Sequence, residues 1–238
     1  MARRAVVPLA PGLWRVPLIG DFVNGFLLRD ADGQVTMLDL GVTRSGPRML
    51  AALTAIGSGP SDVTRVLLTH AHPDHAGGAA AVVAATGRAV SVHADDAPFV
   101  RTGTNPPRDP AFRLGRLMSR LSPRPFAPVE VAEELHDGQL LPVAGGLRVI
   151  HTPGHSPGHA AYLHEPTGTL VTGDSIFNVR GVRWSMKGFC TDFRMSQRTA
   201  VRLAEIDYAT AAFTHGPELT DRPREAIREF LRREGMLP

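Results

Sequence analysis

Residues 70–75, His70-Ala71-His72-Pro73-Asp74-His75, place four metal-capable side chains directly after an apolar run at 63–68. Imidazole and carboxylate are among the usual ligands of zinc. A loop leaving a strand end can aim successive side chains into one space, which a regular strand cannot do. Pro73 stiffens that loop, and Gly77-Gly78 lets the following helix approach closely. The pattern of apolar strand, ligand and turn then recurs three times. His155 stands in Thr152-Pro153-Gly154-His155-Ser156-Pro157-Gly158-His159 after a strand at 147–150, Asp174 in Thr172-Gly173-Asp174-Ser175 after 170–172, and His215 in Thr214-His215-Gly216-Pro217 after 211–214. Strand ends that each carry one ligand demand a sheet-built domain with its site along one edge of the core.

The remaining elements are read around that edge. Runs 22–28 and 35–40 form a hairpin about Asp30-Ala31-Asp32-Gly33. Residues 45–56 have helical spacing at Met49, Leu50, Leu53 and Ile56 and stop at Gly57. A helix of small residues at 77–85 and a strand at 89–93 follow. The stretch 94–138 is punctuated by Pro98, Pro106, Pro107, Pro110, Pro123, Pro125 and Pro128; it is expected to be an insertion or lid, with a short helix over 111–121. Strands resume at 147–150, 160–163, 170–172 and 211–214, with helices at 196–205 and 222–233. Strands predominate first and then alternate with helices, which suits two sheets with helices outside. With neither repeats nor a dividing linker, 1–238 is read as one α/β domain.

Composition narrows the function classes. The net charge is +3, carried almost wholly by arginine, with Lys187 the only lysine. The arginines are scattered, which describes a solvated surface better than a nucleic-acid interface. Cys190 is the single cysteine, so neither an internal disulfide nor a thiolate metal site can form. The start, Met1-Ala2-Arg3-Arg4, resembles a short signal n-region, but Pro8 and Pro11 interrupt the apolar stretch that follows. No run approaches the roughly 20 apolar residues of a membrane span. A cytoplasmic protein without membrane or nucleic-acid partners, acting on a small molecule, is expected; the sequence does not specify an oligomeric state.

The HxHxDH loop, the PGHSPGH loop, the TGD loop and the late histidine, in that order, resemble the metallo-β-lactamase superfamily across nearly the whole chain. Asn24 and Asp39-Leu40-Gly41 resemble the early strands that support the family's first metal loop. The resemblance implies a four-layer αββα sandwich. It also implies that His70, His72 and His155 bind one metal, that Asp74, His75 and His215 bind a second, and that Asp174 bridges them. The implied cofactors are two divalent ions, zinc foremost, with iron or manganese as alternatives. Metal lowers the pKa of bound water to about 7, so hydroxide is the expected nucleophile, with Asp74 holding or relaying a proton.

Other residues carry paired readings. His159 is expected to hydrogen-bond a ligand rather than bind metal, and Asp39 either orients a ligand histidine or stabilises a turn. His93, His136 and His164 are taken as structural or exposed, and Cys190 as a small packed residue. Phe177, Trp184, Phe189 and Phe193 either wall a substrate pocket or fill the core. Arg180, Arg183 and Lys187 either hold an anionic substrate or decorate a solvated loop.

The fold hosts many reactions. The first reading is hydrolysis of an ester, thioester or lactone. The alternative is a mononuclear iron dioxygenase acting on persulfides, which would use fewer of these ligands. A metallo-nuclease and a β-lactamase rank below both, the former because aromatics for base stacking are scarce. A non-catalytic metal-binding protein ranks last, since every candidate ligand is present.

Overall fold

The computed structural model describes residues 5–109 and 125–238. The helix expected over 111–121 lies outside those residues. Seven strands form the first sheet in chain order: β1 (Val7–Ala10), β2 (Leu13–Ile19), β3 (Val23–Arg29), β4 (Val35–Leu38), β5 (Val63–Leu67), β6 (Val90–His93) and β7 (Val131–Leu135). Its first four strands are antiparallel, and β4 to β7 run parallel. β8 (Leu140–Leu141), β9 (Leu147–His151), β10 (Ala160–His164), β11 (Thr169–Val171) and β14 (Thr210–Ala212) form the second sheet, ordered β14-β11-β10-β9-β8. A separate hairpin pairs β12 (Ile176–Asn178) with β13 (Val182–Trp184).

Side-chain alternation along the strands explains the layering. Phe26, Leu28, Leu38 and Leu67 of the first sheet pack against Val149, Tyr162, Val171 and Ala212 of the second. The opposite face of the first sheet, with Leu27, Met37, Val66 and Val90, packs on α1 (Gly46–Ala55), α3 (Ala79–Thr86) and α4 (Ala97–Thr102). Between β5 and α3, α2 (Pro73–Ala76) is a single turn that carries Asp74 and His75. Ile150, Leu170 and Ala211 of the second sheet meet α5 (Phe193–Ala200), α6 (Arg202–Glu205) and α7 (Pro223–Arg233). The order is helix, sheet, sheet, helix: an αββα sandwich. Among the described residues no helix is long and apolar enough to cross a membrane.

Part of the stretch expected to be an insertion belongs to the body of the fold. α4 covers the first sheet, and β7 extends that sheet by pairing parallel with β6. The sequence Val131-Ala132-Glu133-Glu134-Leu135 conceals a strand because its two carboxylates sit on a sheet edge, where charge blocks further pairing. Glu133 instead pairs with Arg65 on β5. β1 and β2 are also absent from the sequence reading, since Pro8 and Pro17 suggest turns; both lie where strand pairing is irregular. The single helix expected at 196–205 is two helices, and α5 begins earlier, capped by the Asp192 carboxylate accepting from Met195 N at 2.9 Å.

Candidate metal centre

Loops leaving the carboxyl ends of β4, β5, β6, β9, β11 and β14 meet at one edge of the sandwich, where ligands collect in parallel sheets. The seven residues expected to bind metal come together there, and six of them are buried. Asp74 is the exception, its side chain 35% exposed.

Three imidazole nitrogens converge first. His72 Nδ1 lies 3.0 Å from His70 Nε2 and 2.9 Å from His155 Nε2. Three nitrogens this close cannot satisfy one another with hydrogen bonds when two of the rings have their other nitrogen already committed. His70 Nδ1 donates to Thr69 Oγ1 (2.9 Å), and His155 Nδ1 donates to Cys190 Sγ (3.5 Å). A tetrahedral ion at about 2.0–2.1 Å from each ligand would space such nitrogens by about 3.3 Å, close to what is seen.

The second group is His75, His215 and Asp74. His75 Nδ1 donates to Asp39 Oδ2 (2.8 Å), and His215 Nδ1 to the Phe22 carbonyl (2.5 Å). Each ring therefore presents Nε2 inward, buried and without a hydrogen-bond partner. Both Nε2 atoms face Asp174 Oδ1 from 3.3 Å, and His215 Nε2 faces Asp74 Oδ2 from 3.4 Å. Nitrogens and carboxylate oxygens opposed at this range call for positive charge between them: burial lowers the pKa of both histidines, Asp174 outweighs it and raises them, and a bound metal ion would take the place of those ring protons. Asp174 joins the two groups: Oδ1 points at the second, while Oδ2 lies 3.2 Å from His155 Nε2. His70-His72-His155, His70-His75-Asp174 and Asp74-His75-His215 each bring three ligand atoms close enough to hold an ion.

The electrostatics follow from this crowding. Burial, then the neighbouring imidazoles, hold His70 and His72 well below the usual histidine range, so both are neutral and able to ligate. Burial also pushes the Asp174 carboxyl up, but His215, His75 and His155 outweigh it and hold it well below the carboxylate range.

Supporting residues explain the loop geometry. Asp39, at a positive φ of 55°, accepts from Thr69 N and Thr69 Oγ1 (both 2.8 Å) as well as from His75. It orients a candidate ligand and braces the loop in one act. Asn24, expected near the first metal loop, instead braces the last: Nδ2 donates to Phe213 O and Gly216 O, on either side of His215. His159 has both nitrogens engaged by protein. Nε2 accepts from Asp174 N (2.7 Å) and Nδ1 contacts Thr152 Oγ1 (2.8 Å). A Cβ on Gly173 would stand 2.4 Å from that Nε2, so only glycine allows the bond.

Asp96 and Cys190 were not legible as site residues. The buried Asp96 carboxylate accepts from Ala71 N (2.8 Å), Ser156 Oγ (2.6 Å) and Gly158 N (2.7 Å), clamping the first two ligand loops together. Its neighbour Asp95 is exposed, and nothing in the local sequence separates the two. Cys190 meets His155 across 35 positions, a separation no motif spans.

The centre opens into a cavity of about 290 Å³ walled by Phe22, Val42, Pro73, Phe177, Met186 and Phe189. Phe177 is in place, its ring 4.3 Å from that of His215. Trp184 and Arg180 are not. Trp184 packs on Phe230 of α7 and donates to Glu234, because β13 turns its face toward the outer helices. Arg180 sits exposed at the turn of the β12–β13 hairpin with a φ of 58°.

Residues 18–215 match the family model of the metallo-beta-lactamase superfamily, and the chain belongs to that family of metallo-hydrolases. A metallo-beta-lactamase family protein from Thermus thermophilus superposes with a TM-score of 0.72 at 27% identity, over 96% of this chain and 81% of that one. The chain is 33% identical over 162 residues to a hydroxyacylglutathione hydrolase of Cereibacter sphaeroides, covering 68% of this chain. It is 30% identical over 173 residues to the lactamase-like protein aptB of Emericella nidulans, covering 72% of this chain. It spans 50% and 44% of the lengths of those two curated relatives.

Proposed function

We propose that this chain is a hydrolase that holds two divalent metal ions, zinc foremost, and cleaves an ester, thioester or lactone. The observation that carries this is Asp174 standing between two ligand groups, one carboxylate oxygen toward each. His70, His72 and His155 would hold one ion, Asp74, His75 and His215 the other, and Asp174 would serve both. An all-imidazole and carboxylate set without thiolate suits zinc, with manganese and iron the alternatives. Divalent ions held there make water acidic enough to ionise near neutral pH and polarise a carbonyl oxygen.

The chain's own residues do the rest. Thr214 Oγ1 donates to Asp174 Oδ1 (2.8 Å) and fixes the shared carboxylate. Asp74, which faces the cavity, is placed to take a proton on its carboxylate and return it to the leaving group. Phe22, Phe177 and Met186 receive the apolar part of the substrate and keep water from it. A relative named for cleaving an acyl-glutathione supports a thioester among the candidates. The complete second group, Asp74, His75 and His215, favours two ions over the single iron of a persulfide dioxygenase.

The test combines elemental analysis with a substrate screen. Purified protein should carry close to two equivalents of metal and hydrolyse at least one ester, thioester or lactone. His70→Ala and Asp174→Ala should lose both metal and turnover. Hydrolysis surviving in Asp174→Ala, or one iron with oxygen uptake on a persulfide and no hydrolysis, would sink the reading.

A further inference from the structure

Two polar side chains outside the candidate ligand set also line the cavity, Asn105 and Arg108. Both lie on the segment after α4, away from the loops that bring the ligands. Arg108 donates from Nη1 to Gly188 O (3.2 Å), and its guanidinium lies over the Phe189 ring at 4.6 Å. One bond leaves four of its five N–H donors. Among the described residues it pairs with no carboxylate, as is also true of Arg29 and Arg88, but of these three Arg108 alone lines the cavity. Burial draws its pKa down, as expected of a cation partly stripped of water and given no counter-charge. Three residues earlier, Asn105 Oδ1 is buried without a hydrogen-bond partner. The unmet Asn105 oxygen calls for a donor, whereas Arg108, partly exposed, keeps its free N–H groups in contact with water that an anion can replace.

The segment is held in place for that purpose. Asp109 N donates to Cys190 O (2.8 Å) and Thr191 Oγ1 to Pro107 O (2.6 Å), flanking the Arg108–Gly188 bond. Backbone bonds on both sides fix Arg108 at the cavity before any ligand arrives, which reduces the entropy lost on binding.

We propose that Arg108 sets substrate specificity: the preferred ester, thioester or lactone has an apolar body and a carboxylate remote from the scissile carbonyl. This rests on the hydrolytic reading above. A planar guanidinium pairs with a carboxylate through two parallel hydrogen bonds. One guanidinium also balances a single negative charge, which a phosphate monoester exceeds. Phe22, Val42 and Phe177 cover the apolar body between the two ends.

Matched pairs test this on the metal-loaded protein. Phenyl hydrogen glutarate is set against phenyl pentanoate, and 4-carboxyphenyl butyrate against 4-methylphenyl butyrate, so the charge sits on either side of the ester. At least one pair should favour its anionic member about tenfold or more in kcat/KM, chiefly through KM. That ratio should collapse in Arg108→Gln and return in part in Arg108→Lys. Calorimetric binding of N-phenylglutaramic acid against N-phenylpentanamide, to wild type and Arg108→Gln, reads the same preference without turnover. Equal treatment of both members of every pair by the wild type overturns the proposal, as does a preference that Arg108→Gln leaves intact. Absence of any ester hydrolysis would count against the hydrolase reading, and the binding arm would still decide the role of Arg108.

Discussion

At the scale of single residues, four of the five candidate histidine ligands have one nitrogen turned inward because the other is already occupied. Thr69, Asp39 and the Phe22 carbonyl do this for His70, His75 and His215. For His155 the partner is Cys190, whose sulfur accepts from Nδ1 at 3.5 Å. Groups in this position orient the imidazole and raise its basicity, and losing one costs about 10–100-fold in metal affinity. Cys190→Ala should therefore weaken the ion held by His70, His72 and His155 by about that factor in a chelator competition. Cys190→Ser, which keeps an acceptor, should recover most of it. Equal affinity in wild type and Cys190→Ala would show that the thiol is only packing.

The ligand motifs were readable at this scale because each lies within a few consecutive positions. Residues 70–75 and 152–159 declare their chemistry in one loop each, and the expectation that His159 bonds a ligand matches the bond it accepts from Asp174 N. Arg108, Asn105, Asp96 and Cys190 have no such local signature. What marks them is a missing or distant partner, a property of neighbours brought together by folding.

At the scale of elements, the ends of β6 and β9 form a second contact of functional interest. His93 and His151 stack with ring centroids 3.8 Å apart and planes 13° from parallel. His136 lies 6.2 Å from His93, and the Asp95 carboxylate is 3.8 Å from His93 Nδ1. Burial first, and His151 second, lower the His93 pKa to about 4, with Asp95 opposing them. Since the folded pKa lies below the unfolded one, the unfolded chain binds the proton first as pH falls. Stability from this group is complete above about pH 6.5 and is lost progressively down to about pH 4. Denaturant midpoints should fall over that window in wild type and fall less in His93→Gln. Parallel slopes for the two proteins would remove His93 from the account.

The elements themselves were legible in proportion to how apolar they are. β3, β4, β5 and α1 have strong periodicity and lie within two residues of their expected bounds. β7 and β2 do not announce themselves, since edge charges and proline blur the pattern that burial would impose. Much of the stretch set aside as an insertion therefore carries structural weight, including the buried Asp96 clamp.

For the molecule as a whole, function depends on the register between two sheets. Tyr162 on β10 is fully buried and donates to Leu68 O (2.9 Å) just before the first ligand loop. Ala160 N bonds Thr69 O and Asn24 N bonds Thr214 O (both 2.9 Å), so three bonds tie the sheets at the edge that carries the centre. Tyr162→Phe should cost about 1–2 kcal/mol by leaving one buried carbonyl short of a donor. For a domain of this size that lowers Tm by roughly 2–8 °C. Metal bound only by the folded state adds stability that a chelator removes. Calorimetry with and without chelator should show both losses; a Tm for Tyr162→Phe equal to wild type would mean the hydroxyl does not bind the sheets together.

From the sequence alone came the ligand types, their order along the chain and the layered architecture, because short motifs and hydrophobic periodicity are local properties. Which groups face which, and so the clamp of Asp96, the sulfur behind His155 and the place of Arg108 at the cavity, was decided only in three dimensions. Those features depend on distances between strand ends that are remote in sequence, and only the packing of one sheet on the other brings them within bonding range.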